Sequence, residues 1–164
     1  MFRILLVDDS RQSRYYIQGL IAEESEYEII ASIESAANAE LYCVKHSVDM
    51  ILMDVCTADN ASGLMAAKQL KKKYPGIQII IITSLPEYSF MKKAMEAGCE
   101  GFWYKEYGDA ELLDVMKRVR SGERVYPERA PVVPIGDAYS PDFSERELEI
   151  IRLLSEGYSR QEIA

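Results

Sequence analysis

The sequence predicts an α/β fold: a doubly wound, five-stranded parallel sheet with helices on both faces, followed by a linker and a partial all-α segment. Three observations predict it. Up to residue 121, short apolar runs alternate five times with amphipathic stretches, the pattern of successive strand–helix units. The run Ile77–Thr83 holds four consecutive isoleucines, the composition of a central strand covered on both faces. After Ser121 the texture changes, and prolines replace periodicity.

Taken in order, Phe2–Val7 is the first strand and Arg11–Glu23 the first helix, with Tyr15, Gln18 and Ala22 along one stripe. Tyr27–Ser32 is a second strand and Ala36–Lys45 a second helix. Met50–Met53 is a fully apolar third strand, and Gly63–Tyr74 a helix whose polar face carries Lys68, Lys71, Lys72 and Lys73. After the isoleucine strand, Ser84-Leu-Pro-Glu87 matches the S-x-x-E capping box with Pro86 in the first turn, predicting a helix to Ala97. Gly101–Tyr104 is a fifth strand. Asp109 is expected to cap a last helix with Leu112, Leu113, Val115, Met116 and Val119 at helical spacing.

Four of the six prolines lie between Gly122 and Phe143, so that stretch is expected to be an extended, stiff linker. Ser144-Glu-Arg-Glu147 and Ser159-Arg-Gln-Glu162 are further capping boxes. The first opens a helix with Leu148, Ile151 and Leu154 on one face, stopped at Gly157. Two capped helices joined by a glycine-containing turn make a helix-turn-helix arrangement. The expected organisation is one domain over 1–121, a linker over 122–142, and the start of a second domain over 143–164, too short to fold alone.

Composition narrows the function classes. At 28% charged and 48% apolar, the chain is unlike disordered or low-complexity sequence. No apolar run approaches the ~20 residues that span a bilayer, and Ile4–Val7 is too short and wrongly flanked for a secretory signal. Cys43, Cys56 and Cys99 are odd in number with no C-x-x-C pair, which predicts free thiols in a reducing cytoplasm. A single histidine, His46, leaves little for histidine-based chemistry. The net charge of −8 divides evenly: residues 1–125 carry 15 Lys and Arg against 19 Asp and Glu, and residues 126–164 carry 4 against 8. That is not the footprint of a nucleic-acid-binding body, so DNA contact needs a local surface or sequence beyond Ala164.

In a parallel sheet the carboxyl ends of the strands form the ligand crevice. Those ends carry Asp8 and Asp9, Asp54, Thr83 and Lys105, so three acids, a hydroxyl and an amine are expected on one edge. Each has a plainer reading: Asp8 and Asp9 as acids at the positive end of a helix, Thr83 as a β-branched strand residue, Lys105 as a solvated lysine. Asp54 directly follows an apolar strand and wants a partner. Together the set fits phosphoryl transfer. Clustered carboxylates repel one another, and a hard divalent cation such as Mg²⁺ relieves them. Cation and ammonium would hold the spread charge of a phosphoryl group passing in line to Asp54, the nucleophile, to form an acyl phosphate. Thr83 would reach a phosphoryl oxygen only when one is present, the differential contact a switch requires.

These residues carry a resemblance. Through LLVDDS, ILMD, IIITS and GFWYK in order, Met1–Ser121 resembles the receiver domain of two-component response regulators. The resemblance implies a flavodoxin-like receiver fold, Asp54 as phosphoacceptor, Asp8 and Asp9 as magnesium acids, and the backbone carbonyl of Cys56 as a further ligand. It also implies Thr83 and Lys105 as the family's hydroxyl and amine, and Phe102, three residues before Lys105, as its switch aromatic. Phe143–Ala164 (FSERELEIIRLLSEGYSRQEIA) resembles the start of a LuxR-type helix-turn-helix domain. Together they imply a transcriptional response regulator of the NarL/LuxR type, phosphorylated by a sensor histidine kinase. Phosphorylation is expected to promote homodimerisation through Pro86–Ala97, Gly101–Tyr104 and Asp109–Ser121. In that family the base-reading helix comes later, so DNA binding is expected only with the remainder of the C-terminal domain. The apolar side of Leu148, Ile151 and Leu154 is expected to lie exposed.

Some features depart from the family pattern. The loop Val55-Cys-Thr-Ala-Asp-Asn-Ala-Ser62 lacks the usual proline and has one extra residue, which predicts a mobile or differently shaped loop. Cys56 and Leu85, two residues past Asp54 and Thr83, do not readily orient an attacking water, which predicts slow self-dephosphorylation. Two other readings stay open. A receiver-shaped interaction module would dimerise without phosphorylation. An aspartate-nucleophile phosphatase needs an acid two residues after its nucleophile and a cap domain, whereas Asp8 and Asp9 are adjacent and followed by Ser10, so turnover catalysis is not expected. A dinucleotide site fails on the first turn, which has no glycine.

Overall fold

Five parallel strands, β1 (Phe2–Val7), β2 (Tyr27–Ile33), β3 (Met50–Asp54), β4 (Gln78–Thr83) and β5 (Gly101–Tyr104), lie in the order β2-β1-β3-β4-β5. The structure is a computed structural model that describes residues 1–164. Between the strands run α1 (Arg11–Ala22), α2 (Ala39–Lys45), α3 (Gly63–Lys73) and α4 (Tyr88–Ala97), and α5 (Asp109–Arg120) follows β5. Strand side chains alternate faces, so each central strand feeds two cores. Leu5, Val7, Ile51, Met53, Ile79 and Ile81 pack with residues of α2, α3 and α4. Ile4, Leu6, Leu52, Ile80 and Ile82 pack with Ile17 and Ile21 of α1 and with Leu112, Val115, Met116 and Val119 of α5. The sheet is therefore doubly wound as the sequence predicts.

Register places the functional edge. Val7 pairs with Met53, Asp54 with Ile82, and Thr83 with Tyr104. By that register Asp8 is level with Asp54, Thr83 lies one residue beyond and Lys105 two, all on the carboxyl edge of the sheet.

Three local expectations are corrected. On α1 the Tyr15, Gln18 and Ala22 stripe faces solvent, while Ile17 and Ile21 are the buried pair. Asp109 is the first residue of α5 rather than its cap, a position held by Gly108 without a side-chain bond. The box predicted at Ser84–Glu87 does not form: α4 starts at Tyr88 with Glu87 as an extended N-cap residue that makes no cap bond. The Thr83 hydroxyl oxygen accepts from Leu85 N at 3.1 Å, and Glu87 is turned away to an ion pair.

The proline-rich stretch is strapped down rather than free. Val125 extends the sheet edge beside β5, with Phe102 N donating to Val125 O at 3.0 Å and Val125 N to Glu100 O at 2.9 Å. Tyr126 and Tyr107 hydroxyls donate to the carbonyls of Cys99 and Arg129. A short hairpin, β6 (Pro134–Ile135) and β7 (Ala138–Tyr139), follows. Then come α6 (Glu145–Ser155) and α7 (Arg160–Ile163), both opened by the predicted capping boxes. Leu148 is buried, Ile151 half-buried and Leu154 exposed, so the apolar face expected in solvent is largely covered. The β5 edge, part of the expected dimer surface, is likewise covered by Val125.

Tyr104 is fully buried and its hydroxyl has no hydrogen-bond partner. An unsatisfied buried hydroxyl carries a desolvation penalty that phenylalanine lacks. Tyr104→Phe is expected to raise stability by about 1 kcal/mol in urea titrations, with the opposite sign at a hydrogen-bonded tyrosine such as Tyr126.

Candidate functional site

The β1–α1 turn brings the first two acids to the edge. Asp8 is fully buried, and a buried carboxylate must be hydrogen-bonded. Its Oδ1 accepts from Ser10 N at 2.9 Å; its Oδ2 accepts from Ser13 Oγ at 2.5 Å and from Lys105 Nζ at 2.7 Å. The turn itself is held by Arg14, whose guanidinium donates to the carbonyls of Asp8 and Asp9 and pairs with Glu34 at 2.7 Å. Asp9 is exposed and its carboxylate accepts no hydrogen bond.

Asp54 ends β3, 8% exposed, and receives Lys105 Nζ at 2.8 Å. Lys105 thus bridges two carboxylates. Burial pushes the Asp54 carboxyl up, the Lys105 ammonium opposes that, and the Asp8 carboxylate adds repulsion; the net shift is upward. Burial draws the Lys105 ammonium down, but Asp54 and Asp8 outweigh it and its pKa rises. Thr83, fully buried, has its hydroxyl oxygen occupied by Leu85 N, leaving the hydroxyl proton to donate.

Carboxylate oxygens of Asp8, Asp9 and Asp54 lie within 4.8 Å of one another. An all-oxygen set of this kind suits a hard divalent cation. The Cys56 carbonyl accepts no hydrogen bond. The donor set therefore fits Mg²⁺. The structure brings together Asp8, Asp54 and Lys105 by direct contact and Asp9 by proximity. Phe102 lies deeper: it is buried edge-on to Tyr104 at 4.9 Å and near Tyr126 at 6.4 Å.

The loop after Asp54 is pinned by hydrogen bonds rather than free. Thr57 Oγ1 donates to Ala61 O at 2.7 Å and accepts from Ala36 N at 2.9 Å, while Ala58 N donates to Glu34 O. Asp59 and Asn60 both lie in the left-handed region that Asp and Asn tolerate best among non-glycine residues.

Four contributions escaped the sequence reading. Ser13 and Arg14 hold the acid turn, yet in sequence they are ordinary first-turn helix residues. Gly63 opens α3 against the backbone of Asp54. The last is a clasp between α6 and α4. Glu145 accepts from Tyr88 N at 3.2 Å and Ser89 N at 3.3 Å, capping α4 from outside it. Arg152 pairs with Glu87, 3% exposed, at 2.9 Å and lies over the Phe90 ring at 5.5 Å. Beside the clasp a 600 Å³ cleft runs from Asp9 past Cys56 and Lys93 to Glu156.

The thiols are poor nucleophiles here. Burial pushes Cys56 up to about 12, with Glu156 adding to it; burial also takes Cys99 to about 12 and Cys43 to about 11. Thiolate is the reactive form, and raised values leave little of it at pH 8. Iodoacetamide is expected to alkylate the folded protein roughly a hundredfold more slowly than urea-unfolded chain, the gap closing as pH rises past 10, read by intact mass.

Residues 4–117 match the family profile of the response regulator receiver domain. The chain is 31% identical over 170 residues to the response regulator protein VraR of Staphylococcus aureus (strain NCTC 8325), covering 99% of this chain and 79% of that one. A two-component response regulator of the LuxR family from Aurantimonas sp. SI85-9A1 is similar in structure, with TM-score 0.70 and 29% identity over 75% of this chain and 87% of that chain. The RcsB response regulator of Salmonella typhimurium shares the fold at 17% identity, with TM-score 0.73 over 100% of this chain and 82% of its own. No helix is long and apolar enough to cross a membrane. A receiver profile spanning most of the chain, and a relative aligned along nearly all of it, place this chain in the response regulator family, as a member of the NarL/LuxR type.

Proposed function

We propose that the chain is a phosphorylation-driven switch of a two-component pathway, accepting a phosphoryl group on Asp54 and passing the change to its C-terminal helices. The observation that carries this reading is the Lys105 ammonium shared between Asp8 and Asp54 beside the unpartnered Asp9 carboxylate. Asp8, Asp9, Asp54 and the Cys56 carbonyl would hold Mg²⁺, which when bound neutralises the acid cluster and the incoming phosphoryl oxygens. An Asp54 oxygen attacks phosphorus in line, the bond to the donor breaks, and the donor leaves with the electron pair. Lys105 shifts from the carboxylates to a phosphoryl oxygen. The product is a stoichiometric acyl phosphate rather than repeated turnover. A sensor histidine kinase is the expected donor, in the cytoplasm, and DNA the target of the domain that α6 and α7 begin.

Transmission follows from Thr83. Its hydroxyl gains a phosphoryl acceptor, and the bond from Leu85 N at 3.1 Å must yield as the side chain turns. Leu85 and Pro86 lead directly to Glu87, so strain there loads the Glu87–Arg152 pair and the Glu145 cap on α4. Phe102, packed against Tyr126, carries the same displacement to the strap along β5. Release would free the α4 side for homodimerisation. Arg152→Ala removes the partner of a buried carboxylate and is expected to mimic release. Amide exchange at Tyr88 and Ser89 should rise about tenfold, the equivalent of one charge-assisted hydrogen bond, and beryllofluoride should produce the same change in the parent. Unchanged exchange in both would remove this route.

Intact-mass spectrometry tests the reading. Acetyl phosphate with Mg²⁺ should add one phosphoryl group to the parent and none in excess EDTA. A parent mass that never changes would overturn it.

A further inference from the structure

We infer that Ser13 is a positioning residue for the acid cluster: its hydroxyl fixes the Asp8 carboxylate so that Asp8 keeps its orientation when Lys105 leaves it. This rests on the phosphoacceptor reading above and extends it to a residue outside the acid, hydroxyl and amine set.

The geometry is specific. Ser13 occupies the third position of α1, where its backbone N donates to Ser10 Oγ at 3.2 Å. That bond fixes the first turn and sets the Ser13 side chain back toward the strand end, half-buried. Its hydroxyl donates to Asp8 Oδ2 at 2.5 Å, the short distance of a charge-assisted O–H···O⁻ bond. The same oxygen takes Lys105 at 2.7 Å, and the other takes Ser10 N at 2.9 Å. Asp8 is thus held by three donors, one of them mobile in function. When Lys105 turns to a phosphoryl oxygen, Asp8 Oδ2 retains only Ser13. Without that hydroxyl, a fully buried carboxylate beside Asp54 would keep one donor, from Ser10 N, and be free to swing about its second torsion. Groups that orient a metal ligand typically control affinity nearly as strongly as the ligand itself. Ser13 also lines, with Lys105 and Trp103, a 310 Å³ cavity.

Divalent-cation affinity tests this without phosphorylation. Mn²⁺ would be titrated into the parent, Ser13→Ala and Ser13→Thr, with free Mn²⁺ read by electron paramagnetic resonance and melting followed in parallel. Ser13→Ala is expected to bind about tenfold more weakly while still melting cooperatively in EDTA, at a midpoint lowered by the lost charge-assisted bond, and Ser13→Thr, which keeps the hydroxyl, to recover parent affinity. Superimposable parent and Ser13→Ala curves would overturn the positioning role while leaving the phosphoacceptor reading intact. Equal weakening in both variants would also overturn it, because the hydroxyl would not be the cause. A parent with no saturable Mn²⁺ site would overturn the phosphoacceptor reading itself.

Discussion

Gly63→Ala is expected to lose about 4 kcal/mol or more of stability. A Cβ at Gly63 would fall inside the contact radius of the Asp54 backbone oxygen, and 2.9 Å from both the Asp54 carbonyl carbon and Met53 Cγ. The obstacle is backbone, so no side-chain rotation relieves it. Gly63 N also donates to Val55 O at 2.9 Å, which ties the start of α3 to the end of β3. Either α3 retreats or β3 bends, and both displace Asp54. Phosphoryl uptake should fall even where the variant still folds. Gly19→Ala is the matched comparison: nothing lies within 4 Å of its Cβ position, and it sits within α1. Alanine there should stabilise by about 1 kcal/mol through helix propensity. Urea titration of the two variants reads both signs, and a Gly63→Ala midpoint equal to the parent's would show that the junction yields freely.

Asp54→Asn should abolish phosphoryl uptake and, in EDTA, make the protein more stable. Amides do not attack phosphorus as carboxylates do, so acetyl phosphate with Mg²⁺ should leave the variant's mass unchanged. Stability moves the other way because burial raises the Asp54 carboxyl to about 7 despite Lys105. The folded protein then holds that proton more tightly than the unfolded chain does. Its stabilising contribution is complete below the ordinary carboxylate range and is lost as pH rises through neutrality. The asparagine variant has no such loss. Its advantage should grow from pH 5 to pH 8, reaching on the order of 1–2 kcal/mol, and shrink when Mg²⁺ binds the parent. A variant less stable than the parent at pH 8 would mean that the attraction of Lys105 outweighs the burial of the charge.

A site whose proposed phosphoacceptor is a carboxyl raised by burial is not legible from packing rules, yet much of it was legible from pattern. The parallel sheet followed from alternation and from the isoleucine run, because burial on two faces demands an unbroken apolar strand. Once the strands were placed, the edge residues Asp8, Asp54, Thr83 and Lys105 followed from topology, since parallel strands must all end on one side. The capping boxes at Ser144 and Ser159 were equally plain, because donor and acceptor lie three residues apart and nothing distant competes. The same motif at Ser84 failed because distant groups did compete: Arg152 takes Glu87, and Glu145 caps the helix instead.

By itself, then, the sequence determined the order of strands and helices, the acids at the strand ends and the short-range caps, all set by periodicity or by neighbours within one turn. Only the tertiary structure decided that Ser13 aims at Asp8, that Lys105 bridges two carboxylates, that the proline-rich stretch straps β5, and that α6 grips α4. All but the Ser13–Asp8 bond join residues tens of positions apart. Each polar side chain had several possible partners, and the choice depends on ångström-scale placement that no local pattern encodes.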